Sequence, residues 1–317
     1  MGEGSVRQLN YAAGGRRVAA CAPAVATSRW LSAGRLRILA YHDVADPAAL
    51  DRQLAQILAG YRPVSAAEVI DAYGGGAPLP PRAVWVTFDD GHPGALRAAE
   101  LLRQRRIRAT AFVCPGVISP PRPYWWQIVD AASAAAGLDA GAAAAVRIAL
   151  KALPDEDRRA ETDRALADLA AAGRPVAAGA ATAELLDGWV EHGHDLGNHT
   201  WDHPVLDTCT REVQEEQVVR AHDWLRDRYG DMHLFAYPNG NGTPQTRGLL
   251  TRLGYRHALL FDMRLAPRTP GRFELSRLRV DAADPADRFR ATLAGSLPAL
   301  ARAAGRVSQV RAGAAPA

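Results

Sequence analysis

Residues 84–91 read VWVTFDDG, a nearly continuous apolar run that ends in two aspartates and a glycine. Such runs are typical of strands buried on both faces of a parallel sheet. Carboxylates directly after such a strand lie at its C-terminal end, where barrel enzymes place their catalytic groups. Asp89 and Asp90 project in different directions, so one carboxylate can bind a cation while the other moves a proton. The alternative is a turn that only caps the next helix.

Strand-like and helical segments alternate on both sides of this stretch. The predicted strands cover 37–41, 84–88, 109–113, 195–197, 233–236, 258–261 and 278–280. Strands that alternate with helices indicate a parallel sheet covered by helices. No Gly-rich dinucleotide loop follows the first strand, which disfavours an open doubly wound sheet. We therefore predict an α/β fold, a distorted (β/α) barrel with a helical insertion.

The domain organisation follows from changes in composition. A proline-rich break at 119–123 precedes an alanine-rich and then charged stretch without strand character. We predict a helical insertion at about 120–182, inside a catalytic domain that covers 35–305. Residues 1–34 are predicted to form a poorly ordered leader and 306–317 a tail.

Composition describes a globular protein and excludes several classes. The 317 residues are 48% hydrophobic, carry a formal net charge of +4, and include Lys151 as the single lysine. No basic stripe interleaved with aromatic residues is present, so no nucleic-acid partner is expected. No apolar run reaches the roughly 18 residues of a transmembrane segment. The leader is a weak signal sequence, because its alanine-rich stretch is short and broken by Pro23, so a cytoplasmic location is favoured over export.

Two further motifs carry chemistry. Residues 197–204 read GNHTWDHP, and His199 and His203, four residues apart, can meet on one side of a helical turn and chelate a metal. Neutral imidazole suits zinc, cobalt or nickel better than magnesium or calcium. Alternatively, one histidine is buried and hydrogen-bonded while the other is exposed. Residues 235–240 read FAYPNG, a strand leading into a turn that can aim a backbone N–H at an oxyanion or can be only a turn.

In this order and spacing, the three motifs resemble those of the polysaccharide deacetylase family, also called carbohydrate esterase family four. The resemblance spans residues 37–281 with the insertion as an interruption, and that family's fold is a distorted (β/α) barrel. It implies that Asp89 is the general base. It also implies that Asp90, His199 and His203 hold one divalent metal ion, zinc in the first place and cobalt or nickel as alternatives.

The candidate general acid stands at a different place in this sequence than in many family members. Their histidine in a Leu-x-His-Asp strand near the C-terminus has no counterpart after His257. His42 instead follows the first strand, in a segment similar to that of deacetylases of poly-N-acetylglucosamine. The first and last strands of a closed barrel are neighbours, so His42 is the predicted acid; a structural histidine is the alternative, and His92 a weaker rival.

The third motif departs as well. Ala236 stands where many members have the arginine that orients the base, so Arg277 is proposed to orient Asp89, with a surface or packing salt bridge as the alternative. The backbone N–H of Asn239 is predicted to stabilise the oxyanion. Tyr237 is a candidate for contact with the substrate or the metal ligands.

Three other residues have two explanations each. Trp125 and Trp126 open the insertion, and their rings can stack on sugars or pack between helices. Asp195 can support the histidine ligands by hydrogen bonding or serve a turn.

The expected activity is hydrolysis of N-acetyl groups, with O-acetyl groups as the second choice, on a glycan or other sugar-containing substrate. One alternative is an amide hydrolase for a non-sugar small molecule, favoured by a short cleft that the insertion closes off. The other is a non-catalytic glycan-binding protein of the same fold, which would be expected to lack a metal ligand or the base.

Overall fold

The computed structural model describes residues 21–303 and contains a parallel sheet surrounded by helices. Along the path of hydrogen-bonded neighbours the strand order is β7-β6-β5-β4-β3-β1-β8, β2 pairs with β3 outside it, and every pair is parallel. In chain order, the strands are β1 (Arg37–Tyr41), β2 (Arg62–Pro63), β3 (Ala83–Phe88), β4 (Thr110–Val113), β5 (Asp195–Asn198), β6 (Leu234–Ala236), β7 (His257–Leu259) and β8 (Leu278–Arg279). The predicted parallel sheet is confirmed.

The two edges of the sheet meet through the last strand segment. Leu278 pairs with β1, and Leu275, three residues earlier, forms a parallel bridge with Leu259 of β7. The backbone N–H of Leu260 donates to the carbonyl of Leu275 at 2.8 Å. The segment therefore contacts both edges, and the fold is the predicted distorted (β/α) barrel.

Alternate residues of the strands supply two cores, one inside the barrel and one under the helices. Trp85 and Phe112 pack inside the barrel, whereas Val84 and Val86 pack against the helices. The Trp85 indole N–H donates to Thr110 Oγ1 at 3.1 Å, so this fully buried ring leaves no polar group unpaired. Burial on both faces is why the strands lack polar alternation.

Helices connect the strands, and several of them begin at a residue whose side chain caps the first turn. Ser65 and Glu68 form a capping box at one of them, for example. The helices are α1 (Ala22–Leu31), α2 (Pro47–Gly60), α3 (Ala66–Tyr73), α4 (Pro93–Arg97), α5 (Ala99–Gln104), α6 (Pro115–Ile118), α7 (Trp125–Ala135), α8 (Ala140–Lys151), α9 (Asp155–Ala171), α10 (Ala183–Glu191), α11 (Arg211–Tyr229), α12 (Pro244–Arg252) and α13 (Ala286–Ala294). None of the helices within residues 21–303 has the length and apolar character needed to span a bilayer.

The insertion between β4 and β5 is helical, as the sequence predicts. It consists of α7, α8 and α9, and α7 packs against both of the others. Few side chains of α9 are buried, and Asp155 and Arg158 in its first turns are among them. The insertion is therefore a three-helix layer, and its charged side chains include buried ones.

The chain ends differ from expectation where they are described. The prediction of a poorly ordered leader is wrong for Ala22–Leu31, because this helix packs against α13 and Ser28 Oγ donates to the carbonyl of Ala294 at 2.9 Å. The helix α13 stops at Ala294 because Gly295 adopts φ 84°; helix resumes at 296–303. Residues 1–20 and the predicted tail at 306–317 lie outside the described residues.

Candidate active site

The strand register places the predicted chemical groups at one end of the barrel. Tyr41 pairs with Phe88, so His42 and Asp89 follow neighbouring strands at the same level. His199 likewise directly follows β5. The C-terminal ends of parallel strands meet at one edge, which is where these side chains lie.

Asp90, His199 and His203 converge on one point. Asp90 Oδ1 lies 3.2 Å from His199 Nε2 and 3.3 Å from His203 Nε2, and all three residues are buried. Their potential ligand atoms lie within 4.8 Å of one another. Asp90 Oδ1 has no hydrogen-bond partner although it is buried, which is costly for an anion unless a cation binds there.

Both imidazoles turn a ring nitrogen toward Asp90. His199 Nδ1 lies 2.8 Å from the carbonyl of Ala236, so it donates its proton there and leaves the Nε2 lone pair facing Asp90. Burial lowers the pKa of His203 to about 3, so this ring is neutral at pH 7. Burial lowers the pKa of His199, but Asp90 and Asp89 outweigh it and the net shift is upward, which shows how strongly this carboxylate pair favours a positive charge beside the ring. Two imidazole nitrogens and a carboxylate suit zinc, cobalt or nickel.

The segment that carries the two histidines is not the helical turn predicted from their spacing. Residues 199–203 form a bend in which Thr200 has φ 72° and His203 φ 63°. Asn198 Oδ1 accepts from the Thr200 N–H at 2.7 Å, and Thr200 Oγ1 accepts from the His203 N–H at 3.2 Å. Side-chain caps of this kind offset the cost of left-handed backbone at non-glycine residues.

Asp89 forms a buried, two-bond ion pair with Arg277. The two guanidinium NH groups donate to the two carboxylate oxygens at 2.7 Å each, and Arg277 Nε donates to the carbonyl of Leu260 at 2.7 Å. Arg277 is fully buried, which excludes a surface salt bridge; its contacts fit both the orienting role and a packing ion pair. Burial raises the pKa of Asp89, but the guanidinium outweighs burial and holds the pKa below its usual value.

His42 and His92 both lie close to the carboxylates. The half-buried His42 ring contacts Phe261 edge-on at 5.4 Å between centroids, and burial lowers its pKa although Asp90 and Asp89 oppose this. His92 Nε2 lies 3.5 Å from Asp90 Oδ2. Burial lowers the pKa of His92, but Asp90 outweighs it and the net shift is upward.

Asn239 lies in the turn after β6. It adopts φ 56° inside a short 3-10 turn, Pro238–Gly240, and its Oδ1 accepts a hydrogen bond from Lys151 Nζ at 2.6 Å. Since Lys151 ends α8, this bond joins the helical insertion to the turn across the barrel mouth.

The two tryptophans have different environments. Trp125 is buried beneath Arg158, whose guanidinium lies 5.6 Å from the ring centroid, so Trp125 is a helix-packing residue. Trp126 is half-buried; it stacks on Tyr124 at 4.3 Å and contacts the His203 ring edge-on at 4.7 Å. Only Trp126 of the pair borders the candidate metal centre.

Two sequence expectations are corrected. Asp195 is the first residue of β5, at the opposite end of that strand from His199, and it forms an ion pair with Arg108 (Oδ2 to Nε, 3.0 Å). It therefore cannot support the histidine ligands. Tyr237 is fully buried and its hydroxyl donates to the carbonyl of Phe273 at 3.2 Å, so it holds the core rather than the site.

Three contributions from the insertion escaped sequence reasoning. The Tyr124 hydroxyl donates to the backbone carbonyl of Asp90, and Arg159 forms two bonds, of 2.8 and 2.9 Å, with Asp202 between the histidines. Lys151 is the third, through its bond across the mouth. The one available signal was Lys151, as the single lysine among 38 basic residues.

Comparison with known structures gives the same fold. The chain is similar to the Streptococcus pyogenes deacetylase PplD (TM-score 0.59, 19% identity, covering 82% of this chain and 98% of that one). It is also similar to IcaB from Ammonifex degensii (0.57, 22%, 83% and 97%) and to the BpsB deacetylase domain from Bordetella bronchiseptica (0.56, 15%, 78% and 97%).

Comparison of sequences addresses the family directly. No curated protein sequence matches the chain. The sequence profile described as Polysaccharide deacetylase matches residues 76–258, more than half of the chain and the region that contains all three motifs. This protein therefore belongs to the polysaccharide deacetylase family and is a hydrolase of the deacetylase type.

Proposed function

We propose that this protein removes N-acetyl groups from a glycan or glycoconjugate with the help of one divalent metal ion, zinc in the first place. The observation that carries the proposal is the unpartnered, buried Asp90 Oδ1 facing the Nε2 atoms of His199 and His203. Asp89 is adjacent to Asp90 in the chain but pairs with the guanidinium of Arg277. One carboxylate can therefore bind the cation while the other serves as the base.

The chain's residues divide the work around a bound ion. Such an ion acts as a Lewis acid toward the acetyl carbonyl and makes water more acidic. Asp89 accepts a proton from the attacking water, and the water oxygen bonds to the carbonyl carbon. Arg277 fixes the orientation of Asp89 and keeps it ionised, at some cost in basicity.

The leaving group and the oxyanion need two further groups. The backbone N–H of Asn239 is proposed to donate to the oxygen that gains negative charge. His42 is proposed to protonate the nitrogen as the C–N bond breaks, which gives the free amine and acetate. Since burial leaves the ring neutral at rest, His42 first takes up the proton removed by the neighbouring Asp89.

The contact between the insertion and the turn after β6 bears on the length of the substrate. The bond from Lys151 to Asn239 joins the insertion to the opposite wall of the mouth, which limits the room for a continuous polymer. This observation supports a chain end, a short glycan or, as a second candidate, a small non-sugar amide.

The test is acetate release from N-acetylglucosamine oligomers of increasing length, O-acetylated sugars and simple N-acetyl amines. Metal-stripped protein is compared with protein restored with zinc or cobalt. Asp89→Asn and His199→Ala should lose activity, whereas the matched control Asp195→Asn, at the other end of the barrel, should keep it. Release at the parental rate by Asp89→Asn would refute the base assignment. Activity confined to non-sugar amines would favour the second candidate.

A further inference from the structure

Lys151 brings a positive charge to the mouth of the site. Its ammonium donates to the neutral Asn239 Oδ1, and its charge acts on both Asp90 and His203. The side chain is exposed by surface area, yet enough protein surrounds the ammonium for burial to lower its pKa. Lys151 therefore lies at the rim of the mouth, exposed to solvent but bonded to the turn after β6.

This ammonium differs from the neighbouring guanidiniums in its partners. Arg147, one turn earlier in α8, pairs with Asp130 at 2.6 Å, and Arg277 pairs with Asp89. Within residues 21–303, no carboxylate oxygen lies within 4.0 Å of Lys151 Nζ. Its charge is therefore not neutralised by an ion pair.

A second unpaired cation lies nearby. Arg279 of β8 is exposed and stacks over Phe261 at 5.7 Å, the same ring that contacts His42. Asp284 is within electrostatic reach, but its Oδ1 pairs with Arg288 at 2.8 Å, and no ion pair of Arg279 occurs in the described part of the chain.

Both cations flank the turn after β6. Lys151 donates to Asn239, a Cβ on the adjacent Gly240 would lie 2.7 Å from Phe261 Cβ, and Arg279 stacks over the Phe261 ring, so the two positive charges repel each other. Like charges with no anion between them are unfavourable, and a bound anion offsets that repulsion. Lys151 has two N–H donors beyond the one given to Asn239, and Arg279 has a planar fork of donors. Both geometries suit a carboxylate or a phosphate.

We propose that Lys151 and Arg279 form an anion-binding subsite beside the acetyl site, and that the substrate is an acidic glycan with a carboxylate or phosphate near its acetylated sugar. This inference rests on the proposed function and specifies its substrate class. The rival explanation is that the Lys151–Asn239 bond is a latch, meaning a contact that only holds the insertion against the barrel. A latch of this kind would not distinguish neutral sugars from charged ones.

Binding of sugars that cannot be hydrolysed tests the subsite directly. N-methanesulfonyl glucosamine, its 6-phosphate and the corresponding 6-carboxylate are titrated into the full-length protein by calorimetry. We expect the anionic sugars to bind about tenfold more tightly than the neutral one, as a charge-assisted hydrogen bond allows. The preference should shrink in about 1 M salt, where the Debye length is about 3 Å.

Matched variants separate the subsite from the latch. Lys151→Met and Arg279→Met should abolish the anion preference while affinity for the neutral sugar stays. Arg103→Met removes the same charge from the exposed end of α5 and should keep the preference. Equal weakening of all three sugars by Lys151→Met, with unchanged melting temperature, would support the latch and overturn the proposal.

The outcomes also distinguish the inference from the proposed function. Acetate release at equal rates from neutral and anionic N-acetyl sugars would overturn the subsite while the deacetylase proposal stands. An anion preference in binding without acetate release from any substrate would retain the subsite and refute the activity. If one of the two anions alone gains affinity, that anion identifies the substituent.

Discussion

Replacing Arg277 by methionine should reveal how strongly the stability of the fold depends on the buried partner of Asp89. The substitution removes both guanidinium bonds to Asp89 and the bond to the Leu260 carbonyl, and it leaves a carboxylate that is 4% exposed without a counter-charge. Breaking a buried ion pair from one side costs about 3–5 kcal/mol. We expect a loss of that size in the free energy of unfolding at pH 7.

The loss should depend on pH in a defined direction. In the parent, the folded pKa of Asp89 lies below its unfolded value, so the ion pair stabilises above that value and its contribution disappears as pH falls through the folded pKa. In the variant, burial without the guanidinium raises the folded pKa above the unfolded value of about 3.9. For each unit by which the folded pKa of Asp89 exceeds its unfolded pKa, the variant loses about 1.4 kcal/mol of stability at pH 7. Protonation of Asp89 relieves this loss, so the stability difference between parent and variant shrinks as pH falls from 7 to 5.

The assay is urea unfolding of parent and variant at pH 7 and pH 5. Adding Asp89→Asn to Arg277→Met removes the stranded charge and should recover part of the stability at pH 7. Arg264→Met, which removes an exposed arginine near the same rim, should change stability by less than about 0.5 kcal/mol. A deficit that is the same at both pH values and is not reduced by Asp89→Asn would refute the electrostatic explanation.

Three further predictions concern the metal centre and its supports. Treatment with a chelator should lower the melting temperature of the parent but leave that of Asp90→Asn unchanged, because ligands bound to the native state stabilise it; differential scanning fluorimetry measures both. Arg159→Met frees Asp202 between the two histidines and should weaken zinc affinity by about 10–100-fold in a competition titration. Gly197→Ala places a Cβ 2.5 Å from the Phe112 ring and should cost about 1–3 kcal/mol of stability in urea unfolding.

Each of these has an outcome that contradicts it. A chelator shift of equal size in Asp90→Asn would mean that the ion binds elsewhere. Zinc affinity unchanged in Arg159→Met would show that the bend holds its shape without the insertion. Parental stability of Gly197→Ala would mean that the Phe112 ring moves aside freely.

The barrel was predictable because its signals are local. Runs such as residues 84–88 are buried on both faces, so their composition alone identifies parallel strands. Two of the motif positions were equally clear, since Asp89 and His199 directly follow strands and the ends of parallel strands meet. The ring closure through Leu275 was not readable, because a single bridge leaves no pattern in the sequence.

The errors at the site have equally specific causes. Asp195 was placed near His199 from its closeness in sequence, but four residues of extended strand span about 13 Å, the depth of the barrel. The helical turn expected for His199 and His203 assumed ordinary backbone, whereas Thr200 is left-handed. The Asn198 side chain stabilises that conformation by accepting a hydrogen bond from the Thr200 N–H. The spacing of the two histidines in the sequence carries no information about this bond.

The contributions of the insertion depend on tertiary contacts. Tyr124 reaches Asp90 across 34 residues of sequence, and Lys151 reaches Asn239 across 88. No periodicity or motif relates positions so far apart. Only the packing of the inserted helices over the barrel mouth brings them together.

The position of Arg277 late in the sequence has a consequence for the nascent chain during translation. It lies between Leu275 and Leu278, the two residues through which the last strand contacts both edges of the sheet, and it follows Asp89 by 188 residues. At usual translation rates, the ribosome needs about 10–40 s to add that many residues. During this interval the growing polypeptide holds Asp89 without its guanidinium partner, so closure of the barrel and formation of the Asp89–Arg277 ion pair occur together.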